Sequence, residues 1–230
     1  LQGLIKKDIF RLYDKEIGRI DNSKFANVGD RYPLTDAQNK AYDEIISNFQ
    51  QKDVVLLHGV TSCGKTEIYI KLIDEAIASG KQALFLLPEI ALTTQLTTRL
   101  RRVFGEQLGI YHSKFSDNER VEVWQNMLSP EKEYKVILGV RSSIFLPFRN
   151  LGIVIVDEEH ENTYKQYDPA PRYHARNAAI VLAKIHNAKV LLGSATPSIE
   201  SYYLATQTKK YGFVELLTRY ADIQLPEINV

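Results

Sequence analysis

The strongest constraint on this chain is eight residues long. Gly59-Val60-Thr61-Ser62-Cys63-Gly64-Lys65-Thr66 fits the pattern G-x-x-x-x-G-K-[ST] at every position. It follows the apolar run Val54-Val55-Leu56-Leu57 and opens a segment with helical spacing of apolar residues. A strand feeding such a loop into a helix makes an anion cradle: small residues let backbone N–H groups wrap a phosphate, and the helix N-terminus adds partial positive charge. That chemistry assigns Lys65 to the β- and γ-phosphates of a nucleotide and the Thr66 hydroxyl to Mg²⁺. A chance glycine turn beside a surface lysine would not need strand, loop and helix to fall in this order. Cys63 is a small residue that the loop tolerates. A reactive thiol is also open, because a helix N-terminus and Lys65 both favour thiolate.

The rest of the chain alternates in the same way. The periodicity predicts a helix opened by Leu34, Thr35 and Asp36, with Ala41, Ile45, Ile46 and Phe49 on its apolar face. It predicts further helices over 66–79, 91–104, 116–128 and 175–186, the first stopped by Gly80. Short Val/Ile/Leu runs at 54–58, 83–87, 135–138, 153–156 and 190–192 read as strands buried on both faces. Alternation of such strands with helices gives an α/β fold with a parallel β-sheet, whose ligands bind beyond the carboxyl ends of the strands. Trp124, among the helical neighbours Val121, Val123 and Leu128, is expected in the core.

Bulk properties narrow the class further. With 44% hydrophobic and 25% charged residues the 230-residue chain is an ordinary globular sequence, long enough for one large domain. A single cysteine excludes an internal disulfide and a cysteine-built zinc site, and fits a reducing cytoplasm. No apolar run reaches the roughly 18 residues of a membrane span. The formal net charge of +1 leaves no general basic surface, so any nucleic-acid contact must be local or shared with another domain. Residues 1–32 are a short mixed segment and a polar, turn-rich linker, too small for a core. They read as the tail of an upstream domain, and residues 33–230 as the nucleotide-binding unit.

A second motif supports the first. Ile153-Val154-Ile155-Val156 ends in Asp157-Glu158-Glu159-His160. Beside a phosphate loop, an Asp at such a strand end holds Mg²⁺, partly through water, and the next Glu acts on the attacking water. Alone, the cluster would be a solvated acidic turn.

Taken in order, the motifs resemble those of the superfamily 2 DNA helicases, and within them the primosomal, replication-restart family. Asp157-Glu158-Glu159-His160 resembles the DEEH box. Gly193-Ser194-Ala195-Thr196-Pro197-Ser198 resembles the S-A-T motif that couples ATP state to translocation. Leu87-Pro88-Glu89-Ile90-Ala91-Leu92-Thr93, Tyr111-His112-Ser113 with Glu119, Arg120 and Trp124, and Gly139-Val140-Arg141-Ser142-Ser143 continue the pattern. The resemblance covers residues 34 to about 201; residues 1–20 resemble, more weakly, the end of that family's winged-helix domain. It implies a RecA-like first motor lobe of a 3′–5′ DNA helicase driven by ATP and Mg²⁺, acting in replication-fork restart and primosome assembly. It also implies branched or single-stranded DNA, primosome proteins and single-strand-binding protein as partners, and a cytoplasmic setting. The family has Gly-Ser where this chain has Ser62-Cys63; both pairs are small, so phosphate binding should survive. The family's zinc-binding insertion, second lobe and arginine finger have no counterpart in these 230 residues. They are expected in a longer protein, and the chain alone is expected to bind nucleotide but hydrolyse it poorly.

Two features carry open alternatives. Residues 161–176, ENTYKQYDPAPRYHAR, interleave Tyr164, Tyr167 and Tyr173 with Lys165, Arg172 and Arg176. Aromatics stack on unpaired bases and cations hold the backbone, and the family carries a coupling loop here; the bland alternative is tyrosines folded back on the core. Thr35-x-x-Gln38 is a capping box, while the family reading gives Gln38 to adenine.

Other functions compete with a motor lobe. A GTPase would carry N-K-x-D, which is absent from the sequence. Another P-loop enzyme or a small-molecule kinase would need neither the S-A-T motif nor the aromatic loop. A non-enzymatic nucleotide-binding module would not need Lys65, Thr66, Asp157 and Glu158 together.

Overall fold

The computed structural model describes residues 31–112, 116–129 and 134–219. The upstream tail over residues 1–20 and Ser113 therefore lie outside the described residues, as do residues 21–30 of the linker.

The first helix, α1 (Asp36–Phe49), opens on the expected capping box. The Gln38 backbone N–H donates to Thr35 Oγ1 at 3.3 Å, and Gln38 Oε1 accepts from the Thr35 N–H at 2.9 Å. Strand β1 (Val54–Gly59) then feeds the glycine loop into α2 (Lys65–Ala78), which ends before Gly80 at φ +73°. The chain continues as β2 (Gln82–Leu86), α3 (Thr94–Phe104), β3 (Leu108–Tyr111), α4 (Asp117–Leu128), β4 (Val136–Gly139) and β5 (Leu151–Val156). It closes with α5 (Ala175–Ile185), β6 (Lys189–Ser194), α6 (Ile199–Thr206) and β7 (Gly212–Leu216).

The strands form one sheet in the order β3-β4-β2-β5-β6-β1-β7, and every neighbouring pair is parallel. Alternate residues of the strands face opposite layers, except at the start of β5, where a register shift puts Leu151 on the same side as Val154 and Val156. Val55 and Leu57 join α1, α2 and α3 in one core, whereas Val54 and Leu56 join α4, α5 and α6 in the other. Each fully buried aliphatic chain contributes about 1.5–3 kcal/mol, which is why the strands read as unbroken apolar runs.

Three elements were not foreseen: β3, α6 and β7. The β3 strand is four residues long and contains Gly109, and β7 is a sheet-edge strand with only alternate residues buried. Neither offers the continuous apolar run that marks the central strands. The helix expected over 91–104 starts at Thr94, capped by Thr93, because Glu89–Ala91 form a separate 3₁₀ turn after Pro88.

Trp124 corrects the core assignment. It is 43% exposed, with Val121 and Leu128 exposed beside it, while Val123 and Met127 are fully buried. The two stripes lie on different faces of α4, and the sheet takes the one without the tryptophan.

Candidate functional site

Strands β5, β6 and β1 are neighbours, so their carboxyl ends bring three separated segments to one place: the glycine loop, the acidic box and Ser194-Ala195-Thr196. This is where an open parallel sheet binds its ligand.

The loop is built tightly. Gly64 sits at φ +81°, and a Cβ there would come within 2.2 Å of Gln38 Nε2. At Gly59 a Cβ would meet Cys63 Sγ at 2.9 Å. Val60 is half-buried, whereas Thr61 and Ser62 are exposed at the tip. Lys65 is 9% exposed, and its Nζ donates to the Gly59 carbonyl at 2.8 Å, holding an ammonium across the loop. Thr66 is half-buried in the first turn of α2. Gln38 supports the loop from behind: its Nε2 donates to the Cys63 carbonyl at 3.0 Å while its Oε1 completes the α1 cap. The capping reading is thus present in the structure.

Cys63 corrects the reactive-thiol reading. Its side chain is packed into the core at 2% exposure, and burial pushes the thiol up despite the nearby Lys65 charge.

Asp157 sits at the tip of β5. Burial, reinforced by the adjacent Glu158 carboxylate, pushes its carboxyl up to about 6. The Tyr69 hydroxyl donates to its Oδ1 at 2.9 Å, and the Tyr164 hydroxyl donates to its backbone carbonyl at 2.6 Å. Glu158 has φ +46°, a left-handed conformation that a glutamate adopts only under constraint. His160 Nδ1 lies 3.7 Å from Glu158 Oε2 and 2.8 Å from Ser194 Oγ; its Nε2 lies 3.4 Å from Thr196 Oγ1. Ser194 Oγ also accepts the Thr196 N–H at 3.0 Å. Ala195 is half-buried between them. The acidic box and the serine-threonine segment therefore form one hydrogen-bonded unit.

A neighbouring network was missed at the level of sequence. Glu159 is fully buried, and its carboxylate meets Arg176 Nη1 at 2.7 Å, the Ser198 N–H at 2.7 Å and Ser201 Oγ at 2.8 Å. Arg176 Nη2 reaches on to Glu200 at 2.6 Å. Arg176 is thus a structural ion-pair residue and not one of the loop's free cations.

The aromatic loop divides. Tyr164 is 1% exposed and packs in the core, so the stacking reading does not hold for it: its ring would have to leave the core to meet a base. Tyr167 is 68% exposed and Arg172 is exposed. Lys165 and Tyr173 are half-buried, Lys165 bridging to His174 and Tyr173 packing edge-on against Phe145 at 5.0 Å.

The site has the donors for Mg-nucleotide. One hydroxyl and one or two carboxylates are hard oxygen ligands, and a buried carboxyl held above its usual range beside another acid is a group that a divalent cation would stabilise in its ionised form.

Residues 35–204 match the DEAD/DEAH box helicase family model. The chain belongs to that family. It is similar to the replication restart protein PriA of Bacillus subtilis (strain 168), 40% identical over 100% of this chain and 28% of the relative. It is also similar to the PriA of Haemophilus influenzae, 44% identical over 80% of this chain and 24% of the relative. The chain thus spans about a quarter of the length of these curated relatives. Among solved structures, RecG bound to a three-way DNA junction has a TM-score of 0.56 at 22% identity, over 80% of this chain and 24% of that one. The helicase Lhr of Mycobacterium smegmatis, solved with single-stranded DNA and AMP-PNP, has a TM-score of 0.52 at 18% identity, over 82% of this chain and 26% of that one. Both show the same fold, a RecA-like helicase lobe. The family uses a nucleotide with Mg²⁺. Among the described residues, no helix is long and apolar enough to cross a membrane.

Proposed function

We propose that this chain is the first motor lobe of an ATP-dependent DNA helicase of replication restart, translocating 3′ to 5′ on branched or single-stranded DNA. The observation that carries the reading is the convergence of Lys65, Asp157, Glu158 and the His160–Ser194–Thr196 contacts at adjoining strand ends. Similarity to PriA relatives supports the replication-restart setting, and with it primosome and single-strand-binding proteins as partners in a cytoplasmic protein.

The residues divide the work. Backbone N–H groups of residues 59–66 take the phosphates, and Lys65 turns its ammonium from the Gly59 carbonyl to the β- and γ-oxygens. Thr66 and Asp157 would hold Mg²⁺, and the ion would neutralise phosphate charge. Glu158 takes the proton of the attacking water, and His160 is placed to pass a change at Glu158 to Ser194 and Thr196. The nucleoside is assigned to the cleft beside α2 lined by Tyr32, Leu34, Asn39, Ile70 and Lys71. Exposed Tyr167 and Arg172, with Lys165 and Tyr173 at the loop base, meet DNA. The second lobe and its arginine finger, like the zinc-binding insertion, are assigned to other parts of the protein that carries this chain.

The test uses that whole protein. Glu158→Gln should retain Mg-ATP binding and lose turnover by about 10²–10⁴-fold, whereas Lys65→Ala should weaken binding itself. Unchanged DNA-stimulated hydrolysis in Glu158→Gln would remove Glu158 from this role.

A further inference from the structure

Tyr69 stands at the meeting point of three segments. It lies four residues beyond Lys65, one turn along the helix that leaves the phosphate loop, and it is fully buried. Its ring packs edge-on against Phe85 of β2 at 5.4 Å. Its hydroxyl donates to Asp157 Oδ1 at 2.9 Å. The same hydroxyl passes so close to β6 that a Cβ on Gly193 would stand 1.8 Å from it. Gly193 is the residue before Ser194, so its missing side chain is what leaves room for the bond.

We propose that Tyr69 is a positioning residue for the metal-binding carboxylate, tying Asp157 to the helix turn that carries Lys65 and Thr66. The proposal rests on the reading of Asp157 as a Mg²⁺ residue. A carboxylate at the end of a strand has rotational freedom that must be lost before it can serve a metal, and Mg²⁺ demands near-ideal octahedral geometry. The Tyr69 bond to Oδ1 removes that freedom beforehand. It also makes the distance between Thr66 and Asp157 a property of one rigid path: a single helical turn, one phenol and one hydrogen bond. Outer partners of this kind orient metal ligands and tune affinity without touching the metal.

The experiment measures affinity for a fluorescent ADP analogue across a Mg²⁺ titration, in the whole protein that carries this chain. Tyr69→Phe keeps the ring against Phe85 and removes one hydroxyl. It should raise the Mg²⁺ concentration for half-maximal tightening about three- to tenfold and leave metal-free affinity unchanged. Gly193→Ala, which must push the hydroxyl aside without deleting it, should reproduce the shift and stands in if Tyr69→Phe does not fold. Asp157→Asn serves as reference and should abolish the Mg²⁺ dependence. If Asp157→Asn does so but Tyr69→Phe and Gly193→Ala titrate like wild type, the positioning role is wrong and the metal reading stands. If Asp157→Asn leaves the Mg²⁺ dependence intact, the metal reading fails and the proposal falls with it. Affinity lost equally with and without Mg²⁺ in Tyr69→Phe would make Tyr69 a packing residue only.

Discussion

Arg176 and Glu159 form an ion pair at 2.7 Å in which the carboxylate is wholly removed from solvent. The pair joins the start of α5 to the acidic box, and Ser198 and Ser201 extend it to α6. Removing one member of a buried pair strands the other charge, which costs about 3–5 kcal/mol. Arg176→Ala should therefore lower the unfolding free energy by about that much, read from urea titration. A loss below about 1 kcal/mol would mean that water reaches the Glu159 carboxylate after all.

Ser62 stands at the tip of the phosphate loop. It adopts φ +61°, the left-handed region in which a side chain is strained by about 1–2 kcal/mol. Ser62→Gly should relieve that strain, offset in part by the greater freedom of glycine in the unfolded chain. The expected net gain is about 0.5–1 kcal/mol, with nucleotide affinity preserved, and calorimetry of both quantities checks it.

Cys63 should be inert in the folded chain. It is buried, and burial raises its thiol. Maleimide labelling of native protein should be far slower than labelling in denaturant, and Mg-ATP should slow it little further. Rapid native labelling blocked by nucleotide would restore the reactive-thiol reading.

What could be read ahead of the structure was what lies contiguous in the chain. The loop over 59–66 and the box over 157–160 each put strand, turn and chemistry into one short run. Tyr69 and Asp157 are 88 positions apart, and Glu159 and Arg176 are 17 apart. Periodicity carries no information about such pairs; only the adjacency of β5 and β6, and the packing of α2 and α5 on them, creates them. Trp124 shows the other limit. Val121, Trp124 and Leu128 recur at helical spacing as regularly as Val123 and Met127, and the pattern does not say which stripe meets the sheet. Tyr164 failed as a stacking residue because composition treats all loop tyrosines alike, whereas one of them caps the end of β5 from inside.

Asp157 gives a stability prediction with a definite sign. Its carboxyl is raised from 3.8 to about 6 by burial and by Glu158. The folded chain therefore holds a proton there that the unfolded chain releases, and stability falls as pH rises from about 4 through 6. At neutral pH without metal, the ionised carboxylate costs ~2–3 kcal/mol. Asp157→Asn keeps an oxygen for the Tyr69 hydroxyl and removes that cost. In Mg²⁺-free buffer at pH 7.5 it should unfold at higher urea than wild type, and the difference should vanish near pH 4. A variant less stable at both values would contradict the assignment.

The aromatic loop should separate by exposure. Tyr164 fills the core and donates to the Asp157 and Leu86 carbonyls, so Tyr164→Ala should cost about 3–5 kcal/mol and impair nucleotide binding through misfolding of the site. Tyr164→Phe isolates the hydroxyl, whose loss should cost about 1 kcal/mol, since two buried carbonyls lose one donor. Tyr167 and Arg172 are exposed and lie outside both cores among the described residues. Alanine at either should leave the unfolding midpoint within about 0.5 kcal/mol of wild type. In the whole protein the same changes should lower DNA-stimulated ATP hydrolysis while basal hydrolysis stays put, on the proposal that Tyr167 stacks on bases and Arg172 holds a phosphate. The decisive quantity is the ratio of stimulated to basal rate. A ratio unchanged in the Tyr167→Ala, Arg172→Ala double variant would place the DNA contact elsewhere on the lobe and leave the loop with a role in packing alone.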